Sequence, residues 1–256
     1  MVLFDKGYRL LLQRIVFFGL LFPVLILSAC ATAPTDTDPL AGYNHSMFDA
    51  NLNIDQAAFE PVAKGYRNRV AEGPRNGLHN VLNNVRAPTD FMNNVLQANP
   101  NGAATTFVRF TINSTLGLAG LFDPASNMGI PSYQEDFGQT LAVWGAGPGA
   151  YLVLPFLGPS NVRDTTGLVV DVLTHPFALI SYEGAFIVQA TNFSANSLDQ
   201  RTRAIDLIEG LRENSVDEYA AYRSLYEQSR NNAIHNGALD VDDLPDFDEF
   251  DDEEYQ

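Results

Sequence analysis

The 256-residue chain has one cysteine, four histidines and 15 basic residues against 31 acidic residues. A single cysteine cannot form an internal disulfide, and so few basic residues argue against a nucleic-acid surface, which requires clustered Lys and Arg. Charged residues make up only 18% of the chain, below the roughly 25% that is typical of soluble domains. The hydrophobic fraction of 46% is enough for a sizeable core, and the low charged fraction together with 17 Phe predicts that part of the surface meets something other than water.

Motifs of the common enzyme classes are also missing. There is no G-x-S-x-G nucleophile elbow, no H-E-x-x-H pair and no Walker loop, and the histidines lack metal-ligand spacing. The Gly-rich run 145–149 does not match G-x-G-x-x-G, and Pro148 lacks an N–H with which to bind phosphate. We interpret the Glu135-Asp136 pair as negative charge at a helix start rather than as a catalytic pair. The sequence therefore predicts no catalytic residue, no enzyme activity and no metal site.

The first 29 residues have the parts of a bacterial signal peptide. Three basic residues precede an apolar stretch over 15–27, which is shorter than the ~20 residues that a membrane-spanning helix needs. Residues 27–30 (LSAC) then resemble a lipobox, in which the cysteine receives a lipid and becomes the mature N-terminus. We therefore predict a lipoprotein signal peptide over 1–29 and covalent lipid on Cys30 as the one added group. The alternative is an ordinary secretory peptide cut near Ala29 or Ala31.

Both ends of the mature chain have a distinct composition. Two acyl chains on Cys30 would be sufficient for stable membrane attachment. The lipobox resemblance implies sorting by the next residue, and Ala31 indicates the outer membrane, with the protein facing the periplasm. Residues 30–38 are small and polar, which predicts a flexible tether. Residues 237–256 include ten acidic residues and no Lys or Arg, which predicts a disordered tail that either steers a basic partner or solubilises the chain end.

Helical periodicity dominates residues 39–236, which we assign to one all-α domain. Pro74 suits a first helical position, and Leu78, Leu82 and Val85 follow it on one helical face. Pro88 is interpreted as the start of a separate short helix. Further helices are predicted over 46–55, from residue 61, and over 101–115, 160–174 and 197–214, and residues 176–190 are strongly apolar with one acid, Glu183. We find no convincing alternating strand and no internal repeat, and we predict no significant sheet.

The last helix of this domain is predicted to begin at Ser215. Ser215 and Glu218 match the S-x-x-E capping box, in which each side chain satisfies a free N–H at the helix start. Gly237 is suited to the helix stop.

Residues 139–162 carry no formal charge over 24 positions. The stretch is long enough to span a membrane, but Gly and Pro interrupt it, at about 1 and 3 kcal/mol each relative to Ala in a helix. Irregular backbone at membrane depth is tolerated where it lines a protein cavity, so we predict a channel segment here. A soluble core loop is the alternative. Since Gly permits large dihedral changes, 145–149 is predicted to form a mobile gate. The candidate channel and gate residues are Gly145, Gly147, Gly149, Tyr151 and Pro155.

Several blocks of the chain, in the same order and spacing, resemble the MlaA (VacJ) family of outer-membrane lipoproteins. The resemblance covers about residues 38–230 and is strongest between Glu135 and Asp164. Ala41, Tyr43 and His45 depart from the family pattern in the opening block. The matching residues are Asp38-Pro39-Leu40, Asn44, Met47-Phe48 and Asn51; 61–66 (PVAKGY); Arg109-Phe110, Asn113, Gly117-Leu118 and 120–125 (GLFDPA); 135–141 (EDFGQTL), Trp144-Gly145, 151–155 (YLVLP), Gly158-Pro159-Ser160 and Arg163-Asp164; and Tyr219, Arg223 and Tyr226.

The resemblance implies an all-α fold in which amphipathic helices lie in the membrane as a ring around a central channel. It also implies a position beside trimeric porins. The implied function is to remove phospholipids from the outer leaflet of the outer membrane and pass them to a soluble periplasmic carrier, which maintains lipid asymmetry. Two other hypotheses are a non-transporting structural envelope lipoprotein and a lipase-like enzyme, and the missing nucleophile motif argues against the latter.

Overall fold

The computed structural model describes residues 38–179 and 184–236. The predicted signal peptide, Cys30, nearly all of the tether and the acidic tail lie outside the described residues. The helices are α1 (Ala41–Ile54), α2 (Glu60–Arg69), α3 (Glu72–Leu96), α4 (Pro100–Thr115), α5 (Pro124–Asn127), α6 (Phe137–Val143), α7 (Val162–Thr174), α8 (Pro176–Leu179), α9 (Ala185–Arg203), α10 (Ile205–Asn214) and α11 (Glu218–Ile234). Strands β1 (Tyr151–Leu154) and β2 (Gly158–Asn161) form a small hairpin between α6 and α7. The all-α prediction is confirmed.

Helices α1 and α2 are joined by one π-helical turn, Asp55–Phe59. Such turns are rare and interrupt the regular helical ladder, so they need support from neighbouring elements. Here Arg201 of α9 donates to both carboxylate oxygens of Asp55, at 2.6 and 2.8 Å, and Arg212 of α10 donates a third hydrogen bond to Asp55 at 3.2 Å. The π turn is therefore fixed to the last third of the chain by paired charge.

The prediction of a separate helix starting at Pro88 is wrong. Helix α3 runs without a break from Glu72 to Leu96 and contains Pro88 in its interior. A Pro removes one backbone hydrogen bond but does not end a helix that is packed along its length, and α3 packs along α4. The turn between them is tight: the Asn99 side chain caps α4 by accepting from the N–H of Gly102 at 2.9 Å.

The prediction of no significant sheet is confirmed, although the structure contains one short hairpin that the sequence pattern did not indicate. Tyr151 pairs with Asn161 and Leu154 with Gly158 in an antiparallel hairpin. Its free edge is covered by α1, where Asn44 donates to the carbonyl oxygen of Tyr151 at 3.0 Å and accepts from the N–H of Val153 at 2.8 Å. Four-residue strands carry too short an alternation to distinguish from a loop, and side-chain amides from a distant helix stabilise this pair.

Two predicted helix boundaries also need correction. The stretch 197–214 is divided at Ala204 between α9 and α10, rather than forming one helix. Helix α11 is capped by Asp217, whose side chain accepts from the N–H of Ala220 at 3.1 Å, and not by the predicted Ser215 box. Asp, like Ser, is a favoured N-cap residue, and the helix begins two residues later than the sequence predicts.

The distribution of polarity is unusual for a water-soluble fold. Polar side chains make up much of the buried set, including the fully buried Asn44 and Asn94, whereas Phe186 is 82% exposed and Ile187 68% exposed. Among the described residues, the cluster of buried apolar side chains is small and centres on Phe48, Val153 and Tyr219. Large exposed apolar surfaces mark contacts with membranes or partners. No helix within 38–179 or 184–236 is both long enough and apolar enough to cross a membrane.

Candidate functional site

A cavity of about 790 Å³ is bordered by helices from both halves of the chain and by the turn of the hairpin. Volumes of 300–1,000 Å³ are typical of sites for small organic ligands. One part of its lining is apolar and the other carries ionisable groups. The apolar lining residues are Leu82, Val85, Leu157, Pro159, Leu168, Val172, Ala178, Phe186, Ala190 and Phe193. The ionisable lining residues are Arg86, Glu135, Asp136, Asp164, Asp171, His175, Tyr226 and Arg230.

Arg230 of α11 organises one half of the polar lining. It holds Asp136 in a bidentate pair at 2.6 and 2.7 Å and reaches Asp164 at 2.8 and 3.0 Å. Asp164 also accepts from Arg163 at 2.9 Å and from the Tyr226 hydroxyl. Burial alone would raise the pKa of Asp136 and Asp164, but these donors lower both values below the ordinary range. Both carboxylates are therefore ionised and paired at neutral pH.

Asp136 also has the helix-start role that the sequence predicts. Its side chain accepts from the N–H of Gln139 at 2.9 Å, and the Gln139 side chain accepts from the Asp136 N–H at 3.0 Å, completing a capping box on α6. The same carboxylate thus starts α6 and anchors Arg230. Because α6 packs on α7, this capping also fixes the part of the lining that α7 contributes.

The other half of the polar lining has a different charge balance. Arg86 pairs with Asp90 at 2.9 Å and donates to the backbone oxygen of Glu135 at 3.2 Å. Burial raises the pKa of Asp90 to about 6, although the Arg86 guanidinium opposes the rise. Burial, reinforced by nearby carboxylates, also raises the pKa of Glu135 and of Asp171. This half of the lining therefore contains more carboxylates than positively charged groups.

The hairpin turn also borders a second cavity, of about 240 Å³, on the side of α1 and the π turn. Leu157 and Pro159 line both cavities. Apolar rings and chains supply most of the second lining, including Phe48, Phe59 and Phe156. A movement of the turn would therefore change the shape of both cavities at once.

The predicted gate residues precede, or lie within, the hairpin whose turn borders the cavity. None of them is among the described residues that line the cavity. Gly145 and Gly149 are exposed and adopt the left-handed backbone region, with φ of +91° and +70°. Gly147 is exposed, Tyr151 is buried in the small aromatic core, and Pro155 is exposed at the hairpin turn. Cys30 lies outside the described residues. The roles predicted for these positions remain predictions.

Sequence reasoning missed Arg86, Asp171 and Arg230 as cavity residues. Asp171 and Arg230 are isolated charges on amphipathic helices, where a solvent-facing position is the default interpretation. One signal was available for Asp171, because it shares a helical face with Leu168 and Val172, which the apolar pattern places inward. Arg86, Asp171 and Arg230 line the same cavity because helices that are distant in sequence pack together.

The fold and the cavity together define a class: a helical protein with many buried polar side chains, large exposed apolar side chains, and a large cavity whose lining is apolar in one part and ionisable in the other. The family model described as MlaA lipoprotein matches residues 36–233, and the chain belongs to that family. It is 31% identical to the intermembrane phospholipid transport system lipoprotein MlaA of Shigella flexneri over 229 residues, covering 86% of this chain and 89% of that protein.

Other relatives agree with this family assignment. An uncharacterized protein of Rickettsia bellii is 31% identical over 198 residues, covering 77% of this chain and 76% of that protein. A solved structure described as "Structural basis for maintenance of bacterial outer membrane lipid asymmetry" matches with a TM-score of 0.68 at 31% identity. That match covers 77% of this chain and 99% of the solved chain.

Proposed function

We propose that this protein is a lipid-anchored outer-membrane lipoprotein of a Gram-negative bacterium, and that it removes phospholipids from the outer leaflet. It passes them to a soluble periplasmic carrier and thereby maintains the lipid asymmetry of the outer membrane. The observation that carries the proposal is the two-sided cavity of about 790 Å³ in a member of the MlaA family. The relatives named as phospholipid-transport lipoproteins support the same conclusion.

Phospholipids match the cavity in chemistry as well as in size. A phospholipid has a charged headgroup and apolar chains, and the lining offers ionisable groups and an apolar wall in the same space. The headgroup would lie near Asp136, Asp171 and Arg230, and the acyl chains near Leu168, Val172 and Phe193. The exposed apolar side chains of the described helices are compatible with a position among the acyl chains of the membrane. A trimeric porin is the proposed neighbour in that membrane.

The Gly-rich run 145–149 is proposed to act as the gate through the hairpin that follows it. The hairpin turn lines both cavities, so a change in Gly145 or Gly149 dihedrals would displace Leu157 and Pro159. Val162 donates to the carbonyl oxygen of Ala150 at 3.2 Å, which places these two residues opposite each other at the hairpin base.

A disulfide between Ala150→Cys and Val162→Cys would hold this base closed. We expect the oxidised double variant to transfer lipid several-fold more slowly than its reduced form, with each single variant unaffected by oxidant. Equal transfer by the oxidised and reduced forms would reject the gate.

The function itself is tested by the phospholipid content of the outer leaflet in cells that lack the gene. We expect surface phospholipid to rise on deletion, and to return to normal with the wild-type gene but not with Cys30→Ala. No rise on deletion would favour the alternative, a structural envelope lipoprotein that transports nothing. Full rescue by Cys30→Ala would leave the transport proposal intact and reject the requirement for lipid anchoring.

A further inference from the structure

The charges that line the large cavity do not balance. In the described part of the chain the lining contains four carboxylates, from Glu135, Asp136, Asp164 and Asp171, and two guanidinium groups. Arg230 is already paired with Asp136 and Asp164, and Arg86 is paired with Asp90. Burial and the nearby Arg86 lower the pKa of His175, the remaining basic group of the lining, so it is uncharged at neutral pH.

Two carboxylates of the lining therefore form no ion pair among the described residues; Arg86, which is paired with Asp90, opposes the burial-driven rise in the pKa of both without forming a salt bridge to either. Asp171 accepts from the N–H of Phe137 at 2.9 Å and from the Asn93 amide at 3.4 Å, both neutral donors. Glu135 accepts from the Gln97 amide at 2.8 Å through one oxygen, and its other oxygen, Oε1, is buried without a hydrogen-bond partner among the described residues. Glu135 is 1% exposed, so this acceptor is not satisfied by bulk water.

The two groups are close to each other through short links. Phe137, the donor to Asp171, lies two residues after Glu135 in the chain. Asn93 bridges Asp171 and Thr140, and Gln97 bridges Thr140 and Glu135. Asp171 is half-buried on the cavity side of α7, so a molecule in the cavity can reach it. The pair forms one acidic patch in the lining, which we call the Asp171–Glu135 patch.

We propose that the Asp171–Glu135 patch binds the ammonium group of a phospholipid headgroup, so that the protein prefers aminophospholipids to phospholipids whose headgroup carries only negative charge. An ammonium offers up to three N–H donors and one positive charge, so it can donate to the reachable carboxylate of Asp171 while its charge offsets that of the neighbouring Glu135. A headgroup without that cation would place its phosphate against carboxylates with no compensation. This inference rests on the proposed function, since it assigns a substrate class to the same cavity.

A bound metal ion is the other cation that could satisfy carboxylates. Within the described residues, no group of three or more His, Cys, Asp and Glu side chains is placed to hold one. A lipid ammonium needs fewer fixed ligands than a metal, because it brings its own hydrogens as donors. The observations therefore favour the organic cation, and the test below includes the metal as an outcome.

The test uses the purified full-length lipoprotein in neutral detergent with phosphatidylethanolamine and phosphatidylglycerol of identical acyl chains. Bound lipid is quantified by competition against one fluorescent phospholipid. We expect wild-type protein to bind phosphatidylethanolamine about tenfold more tightly, the preference that one charge-assisted hydrogen bond typically confers. Acetylating the amine, which removes its positive charge, should reduce binding to the phosphatidylglycerol level. Phosphatidylcholine, which keeps the charge but has no N–H, should fall between them.

Two substitutions test whether the Asp171–Glu135 patch causes the preference for phosphatidylethanolamine. Asp171→Asn and Glu135→Gln should each reduce the preference to within about twofold, with total lipid bound preserved. Asp206→Asn removes a carboxylate on the exposed side of α10, which pairs with Arg67, and should leave the preference unchanged. If Glu135→Gln does not fold, Asp171→Asn decides alone, because Asn keeps an acceptor for the Phe137 N–H.

Each remaining outcome has a definite meaning. Equal binding of both lipids by wild-type protein, or a preference that survives Asp171→Asn, would overturn the ammonium site while leaving phospholipid transport intact. A preference that disappears with chelator would assign the patch to a metal ion instead and would equally overturn it. Failure to bind any phospholipid would overturn the proposed function together with this inference.

Discussion

The amide oxygen of Asn51 accepts from the backbone N–H of Phe156 at 2.8 Å, which joins helix α1 to the turn of a hairpin more than 100 residues later. Its amide nitrogen donates to Leu154 at 2.8 Å, so one side chain bonds both sides of the turn. Phe156 adopts φ of +63°, a region that is costly for a residue with a side chain. The Asn51 contacts therefore hold a strained turn at the border of both cavities.

Asn51→Ala should loosen this turn. Two hydrogen bonds are lost, and we expect stability to fall by about 1 kcal/mol, because water can replace partners at an exposed turn. Amide hydrogen exchange at Phe156 should accelerate more than exchange in α3. Asn53→Ala, an exposed position on the same helix, is the matched control and should leave exchange at Phe156 unchanged. Equal acceleration by both substitutions would contradict the contact.

Arg230→Met should be strongly destabilising. It leaves Asp136 without a cationic partner and Asp164 with only Arg163. We expect a loss of about 3 kcal/mol, the lower end for removing one partner of a buried pair, because Asp136 is 28% exposed. Chemical denaturation in detergent measures it. Arg67→Met breaks a pair with the 84%-exposed Asp206 and should cost under about 1 kcal/mol; similar losses in both variants would contradict the assignment.

Gly167→Ala should disrupt the crossing of α6 and α7. A methyl group at position 167 would lie 2.2 Å from the backbone nitrogen of Gly138 and 2.6 Å from its Cα, and backbone cannot move aside cheaply. We expect a loss of about 1–3 kcal/mol from overpacking. Gly210→Ala is the control within α10, where nothing lies within 4 Å, and it should stabilise by roughly 0.5–1 kcal/mol. Thermal unfolding of both variants decides; a stable Gly167→Ala protein would refute the close approach.

Thermal stability should depend on pH in two opposite ways. The pKa of Asp90 is raised from 3.8 to about 6 in the folded protein, so its favourable contribution is fully present below 3.8 and is lost as the pH rises through 6. Glu135 and Asp171 shift in the same direction. The lowered pKa values of Asp136 and Asp164 act oppositely, since their contribution is lost as the pH falls below about 4.

We therefore expect the Tm to be highest near pH 5 and to fall toward pH 7. Asp90→Asn, which keeps the shape but cannot ionise, should flatten the decline between pH 5 and pH 7 by about 2–4 °C, the effect of 1 kcal/mol in a domain of this size. Asp206→Asn, at an exposed carboxylate, should leave the slope as it is. A slope unchanged by Asp90→Asn would show that Asp90 is ionised throughout.

Local signals in the sequence located much of the fold. The helix predicted over 101–115 matches α4 (Pro100–Thr115) to within one residue, because its apolar spacing is a local property of the sequence. The prediction of a separate helix starting at Pro88 was wrong, because the local effect of a proline on a helix is weaker than the packing of α3 along α4. The hairpin was missed for the opposite reason: its strands are held by Asn44, more than 100 residues away, and no local pattern encodes that contact.

The candidate site, like the fold, was predicted from the sequence only in part. The Gly-rich run and the uncharged stretch pointed to the region of the hairpin, yet the cavity itself is lined by charges on helices α3, α7 and α11. Which carboxylate an arginine pairs with depends on the three-dimensional path of the chain. The Arg230–Asp136 pair, for example, joins residues 94 positions apart.

The sequence by itself determined the helical class, the family and the low fraction of charged residues, because periodicity, motif order and composition are local or additive properties. Only the tertiary structure decided that polar residues such as Asn44 and Asn94 are buried, that Asp171 and Glu135 form no ion pair among the described residues, and that the hairpin turn borders two cavities. Those features are sums over contacts between distant segments, and electrostatic energy depends on distance and burial that no single stretch of sequence contains.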